Sequence, residues 1–150
     1  LTEADFIDWG SSENYVQAVG VGECAGVVID LVATLLFESE EKLDNAKEAL
    51  KEQRWSDAVY HAYSSLINTA KALLIGDSEK TNSHAAIVQQ FDEFFIATDK
   101  FLLEGTFNAL VYQINQNEPS KSFAEKYLSE AIDFYKTAEA FRQKQLSHAG

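Results

Sequence analysis

The stretch that decides the fold is residues 54–75, RWSDAVYHAYSSLINTAKALLI. Its apolar side chains recur every three or four residues and therefore share one broad face of a helix. That face consists of Trp55, Ala58, Val59, Ala62, Leu66, Ile67, Ala70, Leu73 and Leu74. Gly76 follows at once and is typical of the residue that ends a helix. The sequence therefore predicts a buried helix from about Arg54 to Ile75.

The segments on either side have the same period. Before this helix, the apolar positions from about Cys24 to Lys51 predict one long helix, including Val28, Leu31, Val32, Leu35, Leu36, Leu43, Ala46 and Leu50. After a polar turn, the spacing of His84, Ile87, Val88, Phe91, Phe94 and Phe95 predicts a third. A shorter fourth helix is predicted over about Thr106–Asn115.

The last helix is predicted after Pro119, the single proline of the chain. Ser122-x-x-Glu125 has the spacing of a capping box. The core positions of this helix are Ala124, Tyr127, Leu128, Ala131, Phe134, Tyr135, Ala138 and Phe141. Because the connections are short, we expect an all-α, up-and-down bundle of four to five helices.

The domain organisation follows from where the helical period begins. Residues 1–22 lack that period and contain several glycines and serines, so we expect an extended N-terminal arm or a linker from a preceding domain. Residues 23–150 form the bundle. The sequence has no methionine and starts at Leu1, which favours a piece of a longer polypeptide.

Charge restricts the classes of partner. The net charge is −12, and residues 1–44 hold ten acidic residues against one base, Lys42. The other basic residues are scattered singly, whereas a nucleic-acid surface clusters them, so long nucleic acid is not expected as a partner. The longest apolar run, residues 25–37, is interrupted by Asp30 and is too short to cross a membrane.

The sequence gives little evidence for a metal site or for a catalytic nucleophile. The single cysteine, Cys24, excludes an internal disulfide and a four-cysteine cluster, and it fits a reducing cytoplasm. Cys24 lies near a predicted helix N-terminus, but its small apolar neighbours favour packing over reactivity. No pair of Glu-x-x-His units for a di-iron site is present. Asp57 and His61 are interpreted as an exposed i,i+4 pair, and no metal is expected in this segment.

Residues Arg54–Ser64, continuing through Thr69–Leu74, resemble the signature helix of HEPN domains. Thr81–His84 followed by Phe91 resembles that family's next helix, and Ala131–Phe134 resembles its last. The resemblance covers about Glu38 to Phe141 and implies an all-α bundle.

Catalytic HEPN ribonucleases are recognised by an Arg-x4-6-His motif, usually paired across a dimer, which acts on the ribose 2′-hydroxyl and the phosphate. Arg142 and His148 have that spacing and are the candidate catalytic residues that the resemblance implies. They lie in the last residues of the chain, where fraying is expected, and residues 111–115 read VYQIN where the family's arginine is expected. We therefore favour a non-catalytic domain.

A second resemblance lies in residues 5–10, DFIDWG, and 19–30, VGVGECAGVVID. Together with the HEPN-like helices, these segments look like the C-terminal extension of some ferredoxin-type nitrite/sulfite reductases. The resemblance implies a parent protein with sirohaem and a [4Fe–4S] cluster, neither of which this segment would hold.

Three functions stay open from sequence. The leading hypothesis is an accessory domain for dimerisation or for docking on the preceding reductase domain, and the others are a nucleotide or small-ligand module and the ribonuclease. The polar face of the helix from Arg54 to Ile75 is the expected ligand or partner face, and it comprises Tyr60, His61, Ser64, Asn68 and Lys71.

Overall fold

The computed structural model describes residues 21–76, 83–101 and 103–149, with side chains for 30–75, 83–101 and 103–147. Within these residues the fold is all-α, with five helices and no strand. The helices are α1 (Val21–Lys51), α2 (Trp55–Gly76), α3 (His84–Phe91), α4 (Phe107–Val111) and α5 (Lys121–Ala149). A π-helical turn, Asp92–Ile96, extends α3, and a 3-10 turn, Tyr112–Asn115, extends α4. The predicted helical bundle is confirmed.

The predicted N-terminal arm lies almost entirely outside the described residues. Val21 and Gly22, which we assigned to the arm, belong to α1. Helix α1 therefore begins three residues before Cys24, the predicted start.

Helices α1 and α2 form an antiparallel pair joined by a three-residue turn. Gln53 adopts the left-handed conformation, with φ of 62°, and the Arg54 amide donates to the Ala49 carbonyl at 2.8 Å. This closes the end of α1 and reverses the chain. Between the two helices the Ser39 hydroxyl bonds the Ser65 carbonyl at 2.9 Å and the Ser65 hydroxyl at 2.7 Å. Small side chains at this contact allow the helices to approach closely.

The core is centred on an aromatic cluster. Phe91 of α3 is fully buried, and its ring centroid lies 4.8 Å from that of Phe107 and 5.4 Å from that of Phe134. Rings from α3, α4 and α5 thus meet at one point, joined by Phe95 and Phe101. The predicted apolar face of α2 is buried apart from half-buried Trp55, and the predicted core stripe of α5 is buried apart from half-buried Phe141.

Side-chain caps place the two C-terminal helices. The Asp92 carboxylate accepts the backbone amides of Phe107 at 2.7 Å and Asn108 at 3.0 Å, so it holds the N-terminus of α4 against the turn after α3. For α5, the Ser120 hydroxyl accepts the Phe123 amide at 3.2 Å. The predicted capping box at Ser122 is wrong, because α5 begins at Lys121 and its N-cap is therefore Ser120.

Two predicted core positions are also wrong. Leu31 is 45% exposed, because it lies about 100° around α1 from Val32, which is 1% exposed and faces the bundle. The apolar residues of α1 extend around more of its circumference than the neighbouring helices bury. His84 is exposed at the first position of α3, where its ring contacts Tyr63 instead of the core.

Candidate partner-binding face and the Arg142 position

The polar face of α2 is the first candidate site. Its predicted members follow steps of one, three or four residues, so they share one side of the helix. Tyr60 is 61% exposed, while His61, Ser64, Asn68 and Lys71 are half-buried. Helix α2 thus brings all five predicted residues to one surface, on which the Tyr60 ring projects farthest into solvent.

The charge on this face is low. Asp57 lies at one end and Lys71 at the other, with uncharged side chains between them apart from His61. The Asp57 carboxylate accepts a hydrogen bond from the Arg54 guanidinium. In a chain of net charge −12, this is an almost neutral surface.

The predicted exposed pair of Asp57 and His61 is wrong. Asp57 pairs with Arg54, and His61 is half-buried, with its Nδ1 atom lacking a hydrogen-bond partner among the described residues. Burial lowers the pKa of His61, and the nearby positive charge of Lys42 lowers it further. Helix α1 therefore covers one flank of the face, which sequence spacing within α2 cannot show.

A contact between Tyr63 and His84 was missed from sequence. The Tyr63 hydroxyl lies 2.8 Å from His84 Nδ1, and the two ring centroids are 5.6 Å apart. Burial raises the pKa of Tyr63. The residues are 21 positions apart on different helices, so no local pattern could have paired them. The pair ties α3 to α2 beside the polar face.

Arg142 is the second candidate position. Its side chain is 8% exposed, and Nη1 donates to the Gln145 side-chain oxygen at 3.3 Å. Burial lowers the pKa of its guanidinium. Helix α5 continues to Ala149, so the expected fraying does not begin at Arg142. The side chain of His148 lies outside the described residues.

A cleft of about 400 Å³ lies between α5 and the segment that contains α4. Phe101, Leu110 and Phe134 line its apolar part. At its edge the Gln113 amide donates to Glu130 at 2.7 Å, which joins the 3-10 turn to α5. None of the predicted site residues whose side chains the structure describes lines this cleft.

No cluster of three or more metal-ligating side chains occurs among the residues that the structure describes. With one cysteine in the whole sequence, the chain cannot supply the four thiolates of a [4Fe–4S] cluster. Within the described part of the chain, no helix is long and apolar enough to cross a membrane.

Comparison with known proteins gives a family match over most of the chain. The HEPN domain family matches residues 32–147, a range that includes Arg142 and ends one residue before His148. A protein of Methanocaldococcus jannaschii named "Putative toxin MJ0605" is 31% identical over 65 residues, which are 43% of this chain and 48% of that protein. The chain therefore spans about half the length of this relative. No solved structure gives a significant match.

Proposed function

The chain belongs to the HEPN domain family, and we propose that it is a non-catalytic member that binds a second copy of itself through the polar face of α2. The observation that carries this proposal is the character of that face, which is exposed at Tyr60 and almost uncharged. Tyrosine is enriched in protein interfaces because its ring supplies contact area and its hydroxyl a hydrogen bond.

Electrostatics favour this face for self-association. Two copies of a chain with net charge −12 repel each other over most of their surface, and the repulsion is least where the facing surfaces are neutral. In a two-fold dimer, residue i of one copy contacts residue j of the other and j contacts i, so residues away from the axis meet different residues. Asp57 and Lys71 stand at opposite ends of the face, so an antiparallel pairing of two α2 helices brings opposite charges together at both ends.

Light scattering after size exclusion at micromolar concentration tests the proposal. We expect a dimer for the native chain and a shift toward monomer for Tyr60→Ser and for Lys71→Glu. Phe37→Ser is the matched control, because Phe37 is equally exposed but lies on α1. A native chain that is strictly monomeric contradicts self-association.

The wider context that we propose is an accessory domain of a cytoplasmic nitrite/sulfite reductase-like protein. It rests on the resemblance of residues 5–10 and 19–30, of which residues 21–30 form the start of α1 and the others lie outside the described residues. In that setting sirohaem and the [4Fe–4S] cluster belong to the reductase domain, which is then a second partner for the α2 face. The open reading frame upstream of the Leu1 codon tests this, and a frame without reductase cysteine motifs contradicts it.

A ribonuclease is the second candidate function. It is supported by the position of Arg142 within α5 and within the family match. In this function Arg142 and His148 act on the phosphate and the ribose 2′-hydroxyl of RNA. The test compares cleavage of a labelled RNA by the native chain and by His148→Ala. Cleavage that the substitution abolishes supports the enzyme, and an unchanged trace rules out this pair.

A nucleotide is the alternative ligand for the α2 face, where Ser64, Asn68 and Lys71 provide half-buried polar groups. A ligand that binds only the folded state raises the melting temperature. A thermal-shift series with ATP, GTP and their monophosphates distinguishes this case. No shift with any of them contradicts nucleotide binding and leaves the dimer proposal standing.

A further inference from the structure

A different exposed surface lies on α1. Phe37 is 61% exposed, so folding leaves most of a large apolar ring in water. Glu41 and Asp44 follow it at steps of four and three residues, are themselves exposed, and share its side of the helix. An exposed phenylalanine flanked by carboxylates is a feature that neither the core nor the α2 face explains.

A shallow polar depression on α1 includes Glu41, which lies one helical turn after Phe37. It has a volume of about 630 Å³ and is lined by Glu38, Glu41, Lys42, Asp44 and Asn45. The depression is therefore lined by three carboxylates and one ammonium group. Phe37 together with these five residues is called the Phe37 surface below.

The Asp44 carboxylate of this surface is weakly engaged within the described part of the chain. Asp44 lies 3.8 Å from the Lys47 ammonium, but both side chains are more than half exposed. Ion pairs of this kind contribute little, because water competes for both charges. Glu38, Glu41 and Asp44 are all exposed, so their charges are accessible to a partner.

The negative charge of the Phe37 surface indicates which kind of partner can bind there. A second copy that docked here would place its own carboxylates against these, and the first twenty residues of this chain contain four acids and no base. Both arrangements bring like charges together. A segment rich in lysine or arginine instead pairs with the carboxylates, and an apolar residue on the same segment covers the Phe37 ring.

We propose that the Phe37 surface is the docking site for a basic, amphipathic segment of another protein. Lysine or arginine side chains of that segment enter the depression beside Glu41 and Asp44. One apolar side chain, or the aliphatic part of an arginine, lies on the Phe37 ring, where a guanidinium also gains from the negative face of the ring. This inference goes beyond the proposed dimer and does not depend on the α2 face.

The test uses the full chain and a fluorescent peptide with leucines on one helical face and lysines on the other. Fluorescence polarisation measures its affinity for the native chain and for Phe37→Ser and Glu41→Lys. We expect each substitution to weaken binding by about tenfold, as removal of a central interface residue does. A lysine-only peptide of the same charge is expected to bind more weakly than the amphipathic one.

Glu118→Lys is the matched control, because it makes the same change in net charge at an exposed position between α4 and α5. We expect it to retain binding. Equal weakening by Glu118→Lys and Glu41→Lys shows general attraction of a basic peptide to an acidic protein and overturns the proposal. Unchanged binding by Phe37→Ser, or no binding by the native chain, also overturns it.

Light scattering separates this inference from the proposed dimer. Tyr60→Ser is expected to reduce dimerisation and to retain peptide binding, while Phe37→Ser is expected to do the reverse. If Phe37→Ser instead abolishes a dimer of the unliganded chain, a second copy occupies the Phe37 surface and the proposal is overturned. Thermal unfolding of each variant checks that it is folded.

Discussion

At the scale of single residues, three buried hydroxyl groups between α1 and α2 form hydrogen bonds with one another. Ser39, Ser65 and Thr69 are each no more than 1% exposed. The Ser39 hydroxyl bonds the other two side chains as well as the Ser65 carbonyl. A buried hydroxyl without a partner is costly, so these three side chains depend on one another.

We predict that Ser39→Ala lowers the free energy of unfolding by about 1–3 kcal/mol, because it leaves buried hydroxyls of α2 without a partner. Urea denaturation followed by circular dichroism measures the change. Ser129→Ala, at an exposed position of α5, is the control and should leave the midpoint unchanged. Equal stability of the Ser39 variant and the native chain would contradict the assigned hydrogen bonds.

Tyr135 gives a prediction about alkaline pH. Burial, together with the negative charges of Glu139 and Glu40, raises its pKa to about 12 from the ordinary value of 10.0. Between these values the unfolded chain loses the phenolic proton while the folded chain keeps it. The free energy of unfolding therefore falls as pH rises above 10.0 and continues to fall until pH approaches the folded-state pKa.

Denaturation midpoints measured at several pH values from neutral to alkaline test this effect. Tyr135→Phe should flatten the alkaline decline, because phenylalanine has no proton to lose. Tyr60→Phe serves as the control for the same chemical change at a mostly exposed tyrosine. A Tyr135 variant whose profile matches that of the native chain would show that burial does not hold this proton.

At the scale of the elements, helix ends decide how α4 and α5 are placed. Asp92 holds the first amides of α4 from a distance of fifteen residues, which fixes the short helix against the turn after α3. Ser120 performs the same task locally for α5. The sequence contains two serines in this position, Ser120 and Ser122, and only the backbone at the helix start distinguishes them.

Ser120→Ala is predicted to destabilise the chain by about 1 kcal/mol, the usual cost of losing an N-cap. Ser122→Ala should change stability by much less, because Ser122 lies inside the first turn of α5. Thermal or urea unfolding of the two variants side by side measures the difference. A larger loss for Ser122→Ala would restore the capping box that the sequence predicted.

At the scale of the whole molecule, the aromatic cluster joins three helices that are far apart in sequence. Phe91 contacts rings from α4, from α5 and from the segment after α3. No short-range pattern links these positions, and each helix alone shows only that one side is apolar. Their meeting point brings together buried rings from three helices.

Phe91→Ala is predicted to lower the free energy of unfolding by about 3–5 kcal/mol, because it removes a buried ring and leaves a cavity. Phe37→Ala provides the control with the same chemical change at an exposed site, and its effect should be small. Differential scanning calorimetry measures both. Similar losses for the two variants would contradict the burial that separates them.

The two candidate binding surfaces differ in charge. The Phe37 surface is acidic, whereas the polar face of α2 is nearly neutral, although the two helices are packed side by side. This separation assigns the two faces to different kinds of partner in our proposals. It depends on which residues of α1 and α2 face solvent, and therefore on how the pair is packed.

Local spacing within each helix was enough to predict the fold class, a buried helix over about Arg54–Ile75, which the structure has at Trp55–Gly76, and the apolar faces of α2 and α5. The family was indicated by the resemblance of the motifs in these helices. The sequence also predicted that the five residues from Tyr60 to Lys71 share a face. The exposure of Leu31, the half-burial of His61, the Tyr63 to His84 contact and the burial of Arg142 were decided only by the tertiary structure. Each of these depends on which neighbouring helix covers a given side, and that is set by contacts between residues distant in sequence, which no local period records.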